Sequence, residues 1–181
     1  MRILYSAALL VSIALVSCNS SPTINGEVFV VTRGAGNYKL GAIEVLVVKE
    51  SDFSAATSPK LNELTKLSSD LRAKLAECGD GVRLLYELTN ADRCRDEAAL
   101  MILGISDLYL NAVASKAAAV ATTDSEGKFR VKLPSKGAYW LLARATRDTG
   151  SNSEQYLWVV PVVVKRTDES FSLTNNNLWQ P

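Results

Sequence analysis

Histidine is absent from this chain of 181 residues. Its absence excludes serine–histidine–aspartate triads, cysteine–histidine dyads and every zinc site that uses an imidazole ligand. It also removes the side chain that most often serves as a general base near neutral pH. Catalysis by a pair of carboxylates remains possible in principle. We therefore predict a protein that is not an enzyme and that has no metal site and no cofactor.

The chain also lacks an excess of charge of either sign. It has 20 basic and 19 acidic side chains, which gives a formal net charge of +1. A balanced charge provides no electropositive field that would attract a nucleic-acid backbone. We therefore expect no nucleic-acid partner.

A short hydrophobic run lies near the N-terminus. Residues 3–16 are almost wholly apolar and follow a single positive charge at Arg2. As a helix this run would rise only about 21 Å, which is short of the roughly 30 Å hydrocarbon core of a bilayer. Such a segment is typical of a secretory signal peptide, which we assign to residues 1–17.

The end of this segment, Leu15-Val16-Ser17-Cys18, resembles the bacterial lipobox. The resemblance implies that the Cys18 thiol is acylated, that Cys18 becomes the mature N-terminus, and that residues 18–23 form a lipidated linker. Two acyl chains anchor a protein stably, whereas one gives marginal binding. We therefore expect a lipid-anchored protein of the bacterial cell envelope, with the outer membrane favoured by Asn19. An ordinary signal peptide with a chance cysteine is the alternative.

Cysteine is scarce, and two cysteines remain besides Cys18. In an oxidising envelope compartment, Cys78 and Cys94 predict a disulfide that closes a loop with 15 residues between them. Closing such a loop would stabilise the fold by about 3 kcal/mol. A metal pair is the alternative, although two thiolates without further ligands make a poor site.

The chain begins its folded part with two strand patterns, at residues 26–32 and 42–50, which are rich in β-branched residues. Val28 and Val30 are predicted to lie on one face, with Ile43, Val45 and Val47 on the same face of a partner strand. Leu46 and Val48 make the second strand apolar on both faces, which indicates a central strand.

A helical period then replaces the strand period over about residues 58–118. Ser58 is predicted to cap the first helix, with Pro59 at its first position. An apolar stripe follows at steps of three or four residues: Leu61, Leu64, Leu67, Leu71, Leu75 and Cys78. A second helix is predicted over residues 92–118. We infer a helical hairpin that lies against the strand domain, with a projecting arm as the alternative.

Five further strand patterns follow from residue 119 onward. Phe129, Val131 and Leu133 alternate with charged residues, and Pro161 marks an edge strand or a bulge. Two strands, an insert and five strands predict a mainly β, α+β fold: a seven-stranded antiparallel β-sandwich interrupted by a helical hairpin. The domain would span residues 24–181.

Three short motifs resemble a carboxypeptidase regulatory-like domain, one of the transthyretin-like and carbohydrate-binding-like sandwiches. They are Gly26-Glu27-Val28, the turn Thr123-Asp124-Ser125-Glu126-Gly127-Lys128-Phe129, and Leu133-Pro134-Ser135-Lys136-Gly137-Ala138-Tyr139. The resemblance covers roughly residues 24–50 and 119–175. It implies the fold and is nearly silent on function, and the insert departs from the short connection usual in the family.

The leading functional hypothesis is a non-catalytic envelope lipoprotein that acts as an interaction or scaffolding module. Its partners would be the membrane, through the anchor, and an envelope protein. The alternative is a glycan-binding module in which Trp140, Tyr156 and Trp158 stack on sugars, although strand aromatics commonly belong to a core. An enzyme with a carboxylate pair is a third hypothesis.

Overall fold

The computed structural model describes residues 21–32, 36–77, 93–148 and 153–181, with the backbone alone at 93–95. Eight strands are described: β1 (Thr23–Val31), β2 (Asn37–Lys39), β3 (Glu44–Lys49), β4 (Ala117–Thr122), β5 (Lys128–Lys132), β6 (Gly137–Asp148), β7 (Ser153–Val164) and β8 (Asp168–Leu173). Three described α-helices lie between β3 and β4: α1 (Glu50–Thr57), α2 (Leu61–Glu77) and α3 (Arg93–Val113).

The strands form two sheets that enclose a common core. In the first sheet β1 is antiparallel to β2 and β5 and parallel to β8. The second sheet has the order β4-β3-β6-β7, with every pair antiparallel. The mixed α+β fold with a helical insertion is therefore confirmed. Pro161 lies in β7, which is an edge strand of the second sheet, as predicted.

The described strands depart from the predicted sandwich in two respects. There are eight strands rather than seven, because β2 is a short strand that the sequence pattern did not predict. One pair, β1 with β8, is parallel. The reason is that β7 ends at the same end of the sandwich at which β1 begins. The short β7–β8 connection therefore starts β8 beside the start of β1, and the two strands run in the same direction.

The predicted pairing between the first two strand segments is wrong. β1 and β3 lie in opposite sheets, where β3 pairs with β4 and β6. Val28 and Val30 nevertheless face Val45 and Val47 within one buried cluster, so the predicted apolar faces are correct. The segment between them crosses from one sheet to the other through Ala42, whose φ is 59°.

The helical insert begins eight residues earlier than predicted. α1 starts directly after β3 at Glu50, and a 3₁₀ turn at Ser58–Lys60 joins it to α2. Ser58 is therefore not an N-cap, and its hydroxyl instead donates a hydrogen bond to the Ser54 carbonyl one turn back. The first helix begins directly where β3 ends, and the residue pattern did not reveal this start.

The insert packs on the outer face of the second sheet, as the hairpin prediction requires. Leu71 and Leu75 of α2 meet Ile102 and Ile105 of α3, together with Leu157 of β7. A second cluster joins α1 and the end of α3 to β3 and β6 and consists of Phe53, Val113, Leu46, Val48 and Leu142. β3 is thus buried on both faces, which confirms its central position.

α3 is apolar along most of its length. The segment Asp96–Lys116 is long and apolar enough to cross a membrane by composition, with a hydropathy of 1.5. Ile102 and Ile105 are 1% and 0% exposed because they pack on α2 and β7. The face of α3 that carries Ile102 and Ile105 therefore belongs to the core of the insert, and 28% of the apolar segment is buried.

The C-terminal tail ties the insert to the sandwich. The Trp179 backbone N–H donates to the Leu157 carbonyl at the free edge of β7, at 2.8 Å. The Trp179 ring packs edge-on against Tyr109 of α3, with 6.2 Å between centroids. The Arg72 guanidinium of α2 donates to the Pro181 carbonyl. The tail therefore contacts a strand and both long helices.

Candidate functional site

Two of the three aromatic residues predicted to bind glycans belong to the core. Trp158 is 0% exposed, and its Nε1–H donates to the Thr174 carbonyl at 2.9 Å. Tyr156 is 2% exposed and stacks on Trp158, with 5.9 Å between ring centroids. Both rings point between the two sheets, where a sugar has no access.

The third aromatic residue, Trp140, lies on the opposite face of the second sheet. Its ring stacks on Phe53 of α1, with 4.3 Å between centroids. The predicted platform is therefore not formed by these side chains: two face the core and the third lies beneath the insert. The cause is strand alternation, which sends Trp140 and Trp158 to opposite faces of the sheet.

A polar cluster closes one end of the sandwich core. Glu154 is 6% exposed and accepts hydrogen bonds from the Tyr156 hydroxyl and from Arg147, the latter at 3.0 Å. The Arg147 guanidinium carbon also lies 4.6 Å from the centroid of the Tyr38 ring. Burial, together with the hydrogen bond to Glu154, raises the pKa of Tyr156 well above its ordinary value. These partners satisfy a buried carboxylate and give the cluster a structural role.

The motif residues that carry the family resemblance also have structural roles. The Phe129 ring crosses Gly26 so closely that a Cβ there would lie 2.3 Å from it. Asp124 Oδ1 accepts the backbone N–H groups of Glu126 and Lys128, both at 2.9 Å. Gly127 has a φ of +72°, which glycine adopts without strain. These residues build a hairpin turn and a close strand contact.

A cleft separates the C-terminal part of α3 from the β3 side of the second sheet. It encloses about 400 Å³ and is lined by side chains from both the insert and the sandwich. Leu110, Asn111 and Ala114 line the helix side, and Leu46 and Glu44 line the sheet side. The cleft exists because α3 covers β6 and β7 but leaves part of β3 and β4 uncovered.

Charged groups surround the mouth of this cleft. The Arg144 guanidinium forms an ion pair with Asp107 of α3, and both side chains are about half exposed. Glu44 supplies a carboxylate on the sheet side. Within the described ranges, no three acidic, cysteine or histidine side chains converge as a metal site. The cleft therefore offers an apolar floor with charged and amide groups, an arrangement suited to binding.

Sequence reasoning did not find this cleft. Arg144 stands 37 positions from Asp107, so no local pattern connects them. One signal was present: Arg144 follows Trp140 and Leu142 on the apolar outer face of β6, where a cation needs a partner. The position of that partner depends on how the insert docks.

The predicted lipidation and disulfide sites fall outside this description. Cys18, Cys78 and the side chain of Cys94 lie outside the described residues. A short helix expected at about residues 82–90 also lies there. The acylated Cys18 and the Cys78–Cys94 disulfide therefore stay predictions.

Comparison with known proteins gave matches among solved structures alone. No protein-family model and no curated protein matches the chain. A proposed carbohydrate binding protein from Pseudomonas aeruginosa is 14% identical, with a TM-score of 0.43 over 86% of this chain and 88% of that one. The major pilin subunit of Bacillus cereus is 11% identical, with a TM-score of 0.38 over 86% of this chain and 29% of that one.

A pilus backbone protein from Streptococcus pneumoniae is also similar. It is 12% identical, with a TM-score of 0.23 over 76% of this chain and 34% of that one.

Proposed function

We propose that this chain is a non-catalytic lipoprotein of the bacterial cell envelope that binds an envelope protein through its helical insert. The observation that supports this most directly is the cleft of about 400 Å³ between α3 and β3. It is a concave, partly apolar surface with charged groups at its mouth, as interaction sites commonly are. The insert that forms it is also the part absent from the resembling family.

Two features support a binding role over a catalytic one. The chain has no histidine, which is the side chain that most often serves as a general acid or base. The buried carboxylate among the described residues, Glu154, is held by Arg147 and Tyr156 at the end of the core. That arrangement neutralises the carboxylate and keeps it away from the cleft.

The finer assignment is a carboxypeptidase regulatory-like sandwich anchored through acylated Cys18. The two-sheet core and the Asp124–Gly127 turn support the sandwich, and the lipobox supports the anchor. Metabolic labelling with a palmitate analogue tests the anchor. The wild type should be labelled, and Cys18→Ala should not. Equal labelling of both would contradict the anchor.

In-cell photocrosslinking tests the partner. A crosslinking amino acid at Asn111, on the helix side of the cleft, should give a defined adduct with one envelope protein. The same amino acid at Ser170, exposed on the outer face of the first sheet, serves as the control and should not. Ala114→Trp, which fills the cleft from an exposed position, should remove the Asn111 adduct, whereas Ser170→Trp should leave it.

Two outcomes would overturn the proposed interface. One is an absence of adducts from Asn111 although the protein is folded and labelled at Cys18. The other is an Asn111 adduct that persists unchanged in Ala114→Trp, because the partner would then bind elsewhere.

A further inference from the structure

The described chain enters the sandwich at one defined end. The Pro22 carbonyl accepts the Leu133 backbone N–H at 2.8 Å, just after β5. The Thr23 backbone N–H donates to the Thr167 carbonyl at 2.8 Å, just before β8. The chain is thus held between the β5–β6 turn and the β7–β8 turn. We call this end of the sandwich the entry end.

Every strand of the second sheet carries a lysine at the entry end. Lys116 precedes β4, Lys49 ends β3, Lys136 precedes β6 and Lys165 follows β7. The strand ends lie level because Val48 pairs with Ala117, Lys49 with Tyr139, and Gly137 with Val164. Lys132 at the end of β5 and Arg166 before β8 bring the cations to six.

Four carboxylates share the entry end, namely Glu50, Asp52, Asp168 and Glu169. Two of them already have partners: Asp168 accepts the Asn25 amide, and Glu169 accepts bonds from Arg166 and from the backbone of the β7–β8 turn. The exposed lysines at 116, 136 and 165 make no side-chain ion pair within the described part of the chain. The entry end therefore presents uncompensated positive charge.

The opposite end of the same strands has the opposite balance. Its described residues comprise four cations and six carboxylates: Lys39, Lys128, Arg144, Arg147, Glu27, Glu44, Asp124, Glu126, Asp148 and Glu154. The sandwich is consequently polarised along its strand axis, although the whole chain is nearly neutral. The positive end is the one at which the chain enters.

Chain length places the entry end close to the bilayer, given the proposed acylation on which this inference rests. Cys18 and Pro22 are four positions apart. Four residues span at most about 14 Å when fully extended. Electrostatic attraction acts over about 8 Å at physiological ionic strength. A lipid anchor at Cys18 therefore holds the lysines within reach of the headgroups.

We propose that the entry end docks on a membrane surface that contains anionic phospholipid. A hollow of about 200 Å³ at this end suits a phosphodiester headgroup. It is lined by Lys49 and Lys136, by the hydroxyl-bearing Ser51 and Ser135, and by the carboxylate of Glu50. Docking would fix the orientation of the sandwich, with its strand axis along the membrane normal and the opposite, acidic end pointing away.

Lysine footprinting of the acylated full-length mature protein tests this docking. The protein is reconstituted in vesicles of phosphatidylcholine alone, or of phosphatidylcholine with about one third phosphatidylglycerol, and acetylation rates are measured by mass spectrometry. The lysines at 116, 136 and 165 should react several-fold more slowly on the anionic vesicles. Lys66 on α2 and Lys128 at the opposite end provide internal controls and should react equally on both. High salt should raise the slowed acetylation rates to those measured on phosphatidylcholine alone, because salt screens the attraction.

A charge variant sharpens the test. Each basic residue near an anionic surface changes binding roughly fivefold, so Lys136→Gln with Lys165→Gln should weaken docking about 25-fold. The acetylation rate of Lys116 should then recover. The matched variant, Lys66→Gln with Lys128→Gln, removes the same charge and should leave Lys116 protected.

The outcomes separate this inference from the function on which it rests. If Cys18 is not acylated, both the anchor and the docking are overturned. If Cys18 is acylated but the lysines react equally on both vesicle types, the docking alone is overturned. Protection in cells without protection on vesicles would also overturn it, because a protein would then cover the lysines.

Discussion

The sandwich core and the helical insert are built in different ways. The sandwich encloses one continuous cluster between its two sheets, in which Val28, Val45, Leu141 and Trp158 are each 0% exposed. The described part of the insert has no such closed core. Its two smaller clusters each include side chains from the outer face of the second sheet.

This difference establishes a dependence of one region on the other. Leu157 belongs to the α2–α3 cluster, and Leu142 belongs to the α1 cluster. The apolar faces of the insert are therefore buried partly against strand residues. The inner face of the sandwich contains no insert residue. We therefore expect the insert to loosen without unfolding the sandwich, and loss of the sandwich to unfold both.

The largest effect is expected from Trp158→Ala. The change empties a fully buried site and removes the hydrogen bond to Thr174, at a cost of about 3–5 kcal/mol in the free energy of unfolding. Chemical denaturation followed by far-ultraviolet circular dichroism should show strands and helices lost together at lower denaturant. Val163→Ala, at a site 53% exposed, is the control. Loss of the strand signal while the helix signal persists would contradict the dependence of the insert on the sandwich.

A somewhat smaller and local effect is expected from Leu71→Ala. Leu71 is 0% exposed in the α2–α3 cluster, and its truncation should cost about 2–4 kcal/mol. Hydrogen exchange should speed up in α2 and α3 while the amides of β3 and β6 stay protected. Leu61→Ala, at a site 61% exposed, should change neither. Equal acceleration in β3 and β6 would show that the two regions unfold as one.

Tyr156→Phe should weaken the sandwich end by about 1–2 kcal/mol, because Glu154 loses a buried hydrogen-bond donor. The raised pKa of Tyr156 also makes the wild type sensitive to alkali. The unfolded state loses the Tyr156 hydroxyl proton near pH 10, whereas the folded state keeps it. The contribution of Tyr156 to the free energy of unfolding is therefore complete below pH 10 and declines above it. The variant should lose that alkaline decline. Tyr38→Phe, which keeps the ring beneath Arg147, should retain it.

The smallest effect is expected from Glu169→Gln in the β7–β8 turn. The side-chain hydrogen bond from Arg166 and the backbone N–H groups of the turn lower the pKa of Glu169. A lowered carboxyl pKa stabilises the fold above about pH 4.5, and the contribution fades as pH falls through the folded value. The variant should therefore flatten the acid limb of the stability profile. Ser170→Ala, at an exposed β8 position with no titratable group, should leave it unchanged.

Local chemistry predicted much of the sandwich correctly. Phe129, Val131 and Leu133 are buried and Arg130 and Lys132 are exposed, as period-two alternation requires. The Asp124–Gly127 turn forms because the Asp124 carboxylate accepts nearby N–H groups and Gly127 tolerates a positive φ. These features involve residues a few positions apart, whose geometry neighbouring residues control.

Long-range arrangement was predicted less well. Val28 and Val45 were assigned to one core correctly but to paired strands incorrectly, since an apolar face can pack across a core as well as within a sheet. Trp140, Tyr156 and Trp158 were grouped as a candidate site, although strand register sends the first away from the other two. The cleft at Arg144 was missed because the docking of α3 creates it.

The sequence by itself determined the strand and helix periods, the turn residues, the apolar faces and the predicted lipid anchor, because each depends on side chains close together in the chain. The tertiary structure alone decided which sheet each strand joins, where the cleft opens and which charges gather at the entry end. Those outcomes depend on strand register and on the packing of the insert. Both bring together residues that are far apart in the chain and share no local pattern.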